Sequence, residues 1–296
     1  MNEKKQALIF GATGNIGGAT TRELLKRDWN VRAVTRNPSS EKALELARLG
    51  ADVVQANMDD PTSLNNVFEG MTKVMSVQNW SVSGVDGEIR QAKLVANAAK
   101  AAGINHLVYI SAGMGEANSG VPHFDSKLEV EDFMRELGLP VTVVRPAPFM
   151  ELLSEKEFYP PLAVWGAQMK IIDWETPLPW VAVRDIGLVV ANIFENPDNW
   201  VGKELSLFGD IKSMNQCKQI FTKVNGKKPF RIELPLWLFK KMAGEEFVMM
   251  WRWLYDLIEK NGSQNLVKIA EDAQKVNPEM MDVERWLQFK HSGVHS

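Results

Sequence analysis

Residues 9–18 read IFGATGNIGG, and no other stretch of the chain restricts its fold as much. The apolar run Ala7–Phe10 leads straight into Gly11, Gly14 and Gly17, and an amphipathic helical pattern, Asn15–Arg27, begins inside the turn. The run reads as a buried strand, and glycines at this spacing divide the work of a strand-to-helix turn. Gly11 lets the chain turn sharply, Gly14 lets a ligand approach the backbone, and Gly17 lets the helix pack close to the strand. A helix that starts there presents unpaired N–H groups, a favourable place for a pyrophosphate. The expected cradle is Gly11, Ala12, Thr13, Gly14, Asn15, Ile16 and Gly17.

The alternation continues downstream. Strands are predicted at Val31–Thr35, Val53–Gln55, Lys73–Ser76, Leu107–Ser111 and Val141–Arg145. Helices are predicted at Ser40–Leu49, Pro61–Phe68, Gly87–Ala102 and Lys127–Leu137, each followed by a glycine that can act as a stop. Strands alternating with helices through short loops predict a parallel sheet covered on both faces. The fold expected is α/β, a Rossmann-type doubly wound parallel sheet with a smaller C-terminal α/β lobe. The domain expectation is residues 1–148 for the dinucleotide-binding part and 149–296 for the lobe, interleaved with the sheet edge. After Pro146 prolines cluster and the rhythm breaks; helices are expected from Asp185 to Glu195, from Ser213 to Val224, near Leu236–Lys260 and at Asp282–His291, with strands at Glu204–Phe208 and Phe230–Leu234.

Composition narrows the function classes. A net charge of −3 argues against a general nucleic-acid or anionic-membrane partner. The single cysteine, Cys217, allows no internal disulfide and fits a reducing, cytoplasmic setting. The N-terminus lacks the apolar length of a signal peptide, and charges interrupt Pro235–Ile258, the nearest approach to a membrane helix. The tryptophans and methionines concentrated after residue 145 read first as a second core, and otherwise as an aromatic pocket. The four histidines have no metal-ligand spacing, and the turn before Pro61 explains Asp59 and Asp60 better than a metal does.

The second strand ends in VTRNP, which puts Arg36 nineteen residues after Gly17. An acidic residue near that point would bind a ribose 2′-hydroxyl; a guanidinium suits a 2′-phosphate, so NADP(H) is expected over NAD(H). Asn37, Ser39 and Ser40 can add donors.

The glycine spacing, VTRNP, QANMDD after the third strand, HFDSKLEVEDF, GLPVTVVRP and NPEMMDVERWL together resemble the NmrA-like family of atypical short-chain dehydrogenases/reductases. The resemblance covers nearly the whole chain and is closest to the NADPH-sensor type of NmrA-like protein, which shares a His-Phe-Asp-x-Lys segment. It implies a Rossmann domain and a small lobe with NADP(H) in the cleft between them. On this resemblance Gly11 to Ile16 would wrap the pyrophosphate and Arg36 to Ser40 would hold the adenosine phosphate. Met58 and Asp59 would flank the adenine, and Gln78, Asn79 and Trp80 would lie along the nicotinamide half. Lys127 would grip the nicotinamide ribose, and Phe149, Met150 and Glu151 would border the nicotinamide and substrate space.

The segment VPHFDSKLEVEDF has His123 four residues before Lys127, where many nicotinamide-dependent reductases have Tyr-x-x-x-Lys. In that motif the lysine bonds the nicotinamide ribose and lowers the tyrosine's pKa; here only the first role survives. Candidate catalytic residues are Lys127, His123 (expected in a loop after Pro122), Ser111 at the end of the fifth strand, and Tyr159 in the lobe. Of the other tyrosines, Tyr109 lies inside a strand and Tyr255 in a late helix. Quinones, activated enones and cationic dyes can take a hydride with water supplying the proton, whereas a simple ketone wants a protein donor. Two functions follow: an NADPH-dependent oxidoreductase acting on a small-molecule substrate, and a non-catalytic NADPH sensor that binds a regulatory protein partner. The reductase is preferred because a pocket-forming lobe is expected; a homodimer is left open.

Overall fold

Residues 5–115, 118–154, 163–167, 170–231 and 235–292 are described by a computed structural model. The chain runs β1 (Gln6–Ile9), α1 (Asn15–Lys26), β2 (Asn30–Thr35), α2 (Glu41–Arg48), β3 (Asp52–Gln55), a short α3 (Pro61–Leu64), β4 (Lys73–Ser76), α4 (Trp80–Ala102), β5 (His106–Ile110), α5 (Pro122–Glu136) and β6 (Val141–Pro146). Then come a 3-10 turn (Met150–Leu153), a π-helical turn (Ala163–Ala167), β7 (Leu178–Trp180), α6 (Val183–Glu195), a short α7 (Pro197–Trp200), β8 (Glu204–Leu207) and β9 (Asp210–Lys212). Five helices close the chain in order: α8 (Met214–Asn225), α9 (Leu236–Ala243), α10 (Glu245–Asn261), α11 (Ser263–Val276) and α12 (Val283–His291).

The chain divides into two compact units. The first comprises Met1–Ala117, His123–Arg145 and Ile186–Leu205; the second comprises Asn118–Pro122, Pro146–Asp185 and Ser206–Ser296.

The main sheet has seven strands in the order β3-β2-β1-β4-β5-β6-β8, and the pairs from β3 through β6 are parallel. Strand order reverses between β1 and β4, so the crevice outside their carboxyl ends is the switch point where this class of sheet binds ligands. Ala7, Leu8, Ile9 and Phe10 are all fully buried, as a strand covered on both faces requires. Leu8, Phe10, Val74, Leu107 and Tyr109 share one core with Val95, Val130 and Met134.

The helices end and begin where the side chains dictate. Gly103 closes α4 in the left-handed region, at φ 64°. The Ser40 hydroxyl caps α2 and the Asp60 carboxylate caps α3 ahead of Pro61. Helices α3, α4, α5 and α11 differ from the sequence reading, and β7, α7 and β9 have no counterpart in it. Helix α3 stops at Leu64 rather than Phe68; Asn65 and Asn66 are poor helix formers. Helix α4 starts at Trp80 rather than Gly87, because Asn79 caps an extra turn and Gly84, at φ 73°, joins the two pieces. Helix α5 starts at Pro122 rather than Lys127, since proline is well suited to a first turn that has no N–H to pair. Helix α11 was not anticipated. Of the strand expected at Phe230–Leu234, residues 232–234 lie outside the described residues, and Phe230 is an exposed, non-strand residue.

In the second unit β7 and β9 form an antiparallel pair in which the Trp180 indole donates to the Lys212 carbonyl at 2.9 Å. Ser213 and Gln216 form a reciprocal capping box at the start of α8. Trp165, Trp180, Trp251 and Trp286 are fully buried, so these tryptophans build a core.

Candidate functional site

The turn after β1 has no room for a side chain at Gly11 or Gly17. Gly11 adopts φ +68°, and a Cβ on Gly17 would stand 2.2 Å from the Gly11 carbonyl oxygen. The Gly14 N–H closes the turn onto that oxygen at 2.9 Å. Helix α1 begins at Asn15 with Gly14 as its cap and no side-chain hydrogen bond to its first N–H groups. Ala12 is buried, Thr13 and Ile16 are partly buried, and Gly14 and Asn15 are exposed at the tip. Bare amides on an exposed, glycine-lined tip are what a pyrophosphate needs.

The adjoining segments carry the rest of the first unit's site. The Arg36 side chain is exposed at the end of β2, and its carbonyl accepts from Gln55. The turn behind it is self-bonded: the Asn37 side chain accepts from the Ser39 N–H, and Ser40 donates to the Asn37 carbonyl. The Asp59 carboxylate accepts from Arg90 at 2.6 Å and from Gln91 at 2.7 Å. Those bonds, the Arg90 bond foremost, hold its pKa below the ordinary value, and the Arg36 charge adds to them. The loop carrying Met58 and Asp59 is thereby pinned to α4. Gln78 is buried at the end of β4, donating to the Ser76 hydroxyl at 2.9 Å and to the Met58 sulfur at 3.4 Å. Its carbonyl oxygen is buried with no hydrogen-bond partner among the described residues, an acceptor available to a ligand amide or hydroxyl. Asn79 is the cap of α4, accepting from the Ser81 N–H and hydroxyl.

Helix α5 brings His123 and Lys127 to the same unit. The Lys127 ammonium is buried 2.9 Å from the Glu88 carboxylate and 5.6 Å from the centre of the Tyr109 ring. His123 lies on the helix, not in a loop, with its ring stacked on Trp80 at 4.5 Å and 15°. Burial, and then the Lys127 charge, push its pKa down to about 4, so the imidazole is neutral near pH 7 and cannot serve there as a cationic proton donor. Ser111 is buried, its hydroxyl donates to Glu131 at 2.6 Å, and Arg145 holds the same carboxylate at 3.1 Å. Tyr109 is fully buried; burial, with Glu88 and Glu131 nearby, drives its pKa well above the usual phenol value. Tyr159 lies outside the described residues.

The remaining candidates belong to the second unit. Phe149 bridges to Val181, Met150 is fully buried, and the Glu151 carboxylate accepts from the Val183 N–H at 3.0 Å and the Trp286 indole at 3.2 Å. Met150 and Glu151 thus turn into that unit's own interior, where Glu151 binds the first N–H of α6. Glu88, the partner of Lys127, escaped the sequence reading. The one available signal was an acidic residue on the stripe of α4 that also carries Ala92 and Val95.

A glycine-turn cradle at the switch point of a doubly wound sheet defines a Rossmann-type dinucleotide-binding fold. The chain belongs to the NmrA-like family, whose sequence profile matches residues 3–287. An NmrA-like family domain-containing oxidoreductase of Malbranchea aurantiaca is 28% identical over 285 residues, covering 88% of this chain and 85% of the relative. The crystal structure of NmrA, a negative transcriptional regulator, in complex with NADP superposes with a TM-score of 0.73 at 22% identity, covering 97% of this chain and 95% of that one. The Citrobacter sp. triphenylmethane reductase complexed with NADP(H) gives a TM-score of 0.74 at 22% identity, covering 97% and 99%. At such identities the structural likeness speaks for the fold.

Proposed function

We propose that this chain binds NADP(H) and acts as an NADPH-dependent oxidoreductase on a small electrophile such as a quinone, an activated enone or a cationic dye. The observation that carries the reading is the turn at Gly11–Gly17, where a single Cβ would collide with backbone at 2.2 Å while the helix behind it keeps its N–H groups bare. A tight turn needing only to reverse the chain has no use for that opening. The name of the Malbranchea relative and the NADP(H) bound by the two solved structures support the same reading.

In this proposal Gly11 to Ile16 hold the pyrophosphate through backbone amides, and Arg36 pairs with the 2′-phosphate. The Gln78 carbonyl and Lys127 bond the nicotinamide half. The bound nicotinamide supplies the hydride. Lys127 orients the ribose, and neither His123 nor Ser111 delivers a proton, so the acceptor is one whose reduced form takes its proton from water. Simple ketones, which develop an alkoxide that wants a nearby donor, are poor substrates.

The second reading, a non-catalytic NADPH sensor that binds a protein partner, is favoured by the same lack of an acid at His123 and Ser111, and by the likeness to NmrA, a negative transcriptional regulator. A sensor requires different cofactor affinities in its two states. One assay separates the readings: NADPH consumption with a panel of quinones, enones, aldehydes and dyes, with Lys127→Ala and a protein-free blank alongside. Saturable turnover that falls in the variant is expected. Confirmed NADPH binding with no turnover on any acceptor would give the sensor reading precedence.

A further inference from the structure

Glu88 sits in the buried stripe of α4, between Gly87 and Gln91, where the helical period calls for an apolar side chain. It is fully buried, and a carboxylate there is costly unless its oxygens are matched. Two neighbouring residues of α5 face them: Oε2 is hydrogen-bonded, and Oε1, which accepts no hydrogen bond among the described residues, is held by the ion pair alone. Lys127 meets Oε1 at 2.9 Å, and the Ser126 hydroxyl donates to Oε2 at 2.9 Å. The ammonium also rests over the Tyr109 ring at 5.6 Å.

Stability does not account for such a pair. A buried ion pair is commonly no better than two apolar residues of the same volume, because desolvation offsets the attraction. What the pair does supply is position. Free lysine has four rotatable bonds, and ordering it costs side-chain entropy. A ligand that meets an already ordered ammonium avoids that cost.

We infer that Glu88 is the positioning residue for Lys127: with Ser126 it fixes the ammonium in the place from which Lys127 bonds the nicotinamide ribose. The inference rests on the NADPH-binding reading above. Glu88 itself touches neither cofactor nor substrate.

The test uses the full chain and two ligands, NADPH and 2′,5′-ADP, titrated calorimetrically. The second ligand carries the adenosine phosphate and lacks the nicotinamide half. Lys127→Met is expected to weaken NADPH binding roughly 10- to 100-fold, the worth of a charge-assisted hydrogen bond. Glu88→Gln is expected to weaken it about tenfold and Ser126→Ala about two- to fivefold, as one contact is lost at a time. All three should leave 2′,5′-ADP binding unchanged. Glu88→Gln/Lys127→Met, which replaces the pair by neutral groups and relieves the unpaired charge, should bind NADPH no more weakly than Lys127→Met alone.

Glu88→Gln with wild-type NADPH affinity, beside a weakened Lys127→Met, would remove Glu88 from the account and leave the cofactor reading intact. Equal losses for NADPH and 2′,5′-ADP would make Glu88 a general structural residue and overturn the inference. A wild-type protein that binds no NADPH would instead sink the function proposed above. If Glu88→Gln does not fold, Ser126→Ala decides: unchanged NADPH affinity there overturns the inference, and a selective loss supports it.

Discussion

Arg36 is a single exposed side chain on which a cofactor preference is expected to depend. A guanidinium facing a phosphate dianion is worth about 1.5–3 kcal/mol net, which is roughly ten- to a hundredfold in affinity. Arg36→Ala should therefore lose most of the preference for NADPH over NADH while leaving NADH affinity near its wild-type value; titration of both cofactors reads this, and equal affinities in the wild type would refute it. Residue identity and position put Arg36 in the open just past the end of β2, where the structure leaves it exposed. Identity was a poorer guide at Ser111, whose hydroxyl is taken up by Glu131, a residue twenty positions away in sequence. Likewise, nothing about His123 by itself announces the Trp80 stack and the burial that keep it neutral.

Among the elements, α1 and α6 meet unusually closely. A Cβ on Gly187 of α6 would lie 2.7 Å from the Ala19 carbonyl carbon and 2.9 Å from the Thr20 nitrogen. Both of those are backbone atoms of α1 and cannot swing aside. Gly187→Ala should force the helices apart and cost about 1–3 kcal/mol, the usual cost of overpacking. The readout is a lower thermal midpoint, and an unchanged midpoint would show that the two helices can slide without penalty. Helix boundaries were legible where a side chain caps its own helix, as Ser213 does at α8. They differ at α4, expected only from Gly87, and at α5, where a loop was expected after Pro122. Gly84 instead joins two helical pieces, and Pro122 opens a helix. Helix α11 carries its pattern openly in Leu266, Ala270 and Ala273, and was overlooked rather than hidden.

For the whole molecule, two buried groups tie stability to pH with opposite signs. Asp185 accepts from the Met281 N–H at 2.6 Å, yet burial raises its pKa to about 6. Its folded form binds a proton more tightly than the unfolded chain does, so ionising it costs stability as pH rises from about 4 through 6, and acidification returns that stability. His123 runs the other way: its folded pKa is lowered from 6.5 to about 4, so its contribution is present above 6.5 and is lost as pH falls through that window. Each effect is on the order of 3 kcal/mol at its limit. Measured as a difference from wild type between pH 4.5 and 7, Asp185→Asn should lose stability toward acid and His123→Phe should gain it. The phenyl ring keeps the stack on Trp80. Parallel pH slopes for both variants and the wild type would contradict the assignment.

The order of strands and helices through β6 and the candidate site at the first turn were written in local signals. Apolar periodicity sets an element's type, and three glycines at fixed spacing can serve little besides a close backbone approach. The exposed Arg36 belongs to the same local class. What only the tertiary structure decided was which polar side chains find each other across elements. Glu88 with Lys127, Ser111 with Glu131 and Arg145, and Glu151 with Val183 and Trp286 are all pairings of residues far apart in sequence. The inclusion of 186–205 in the first unit is of the same kind: Gly187 meets α1, and Lys73 donates to the Phe194 carbonyl. Local pattern fixes a side chain's face, but a buried polar group must be matched by whichever partner the packing brings within about 3 Å, and that is a property of the assembled core.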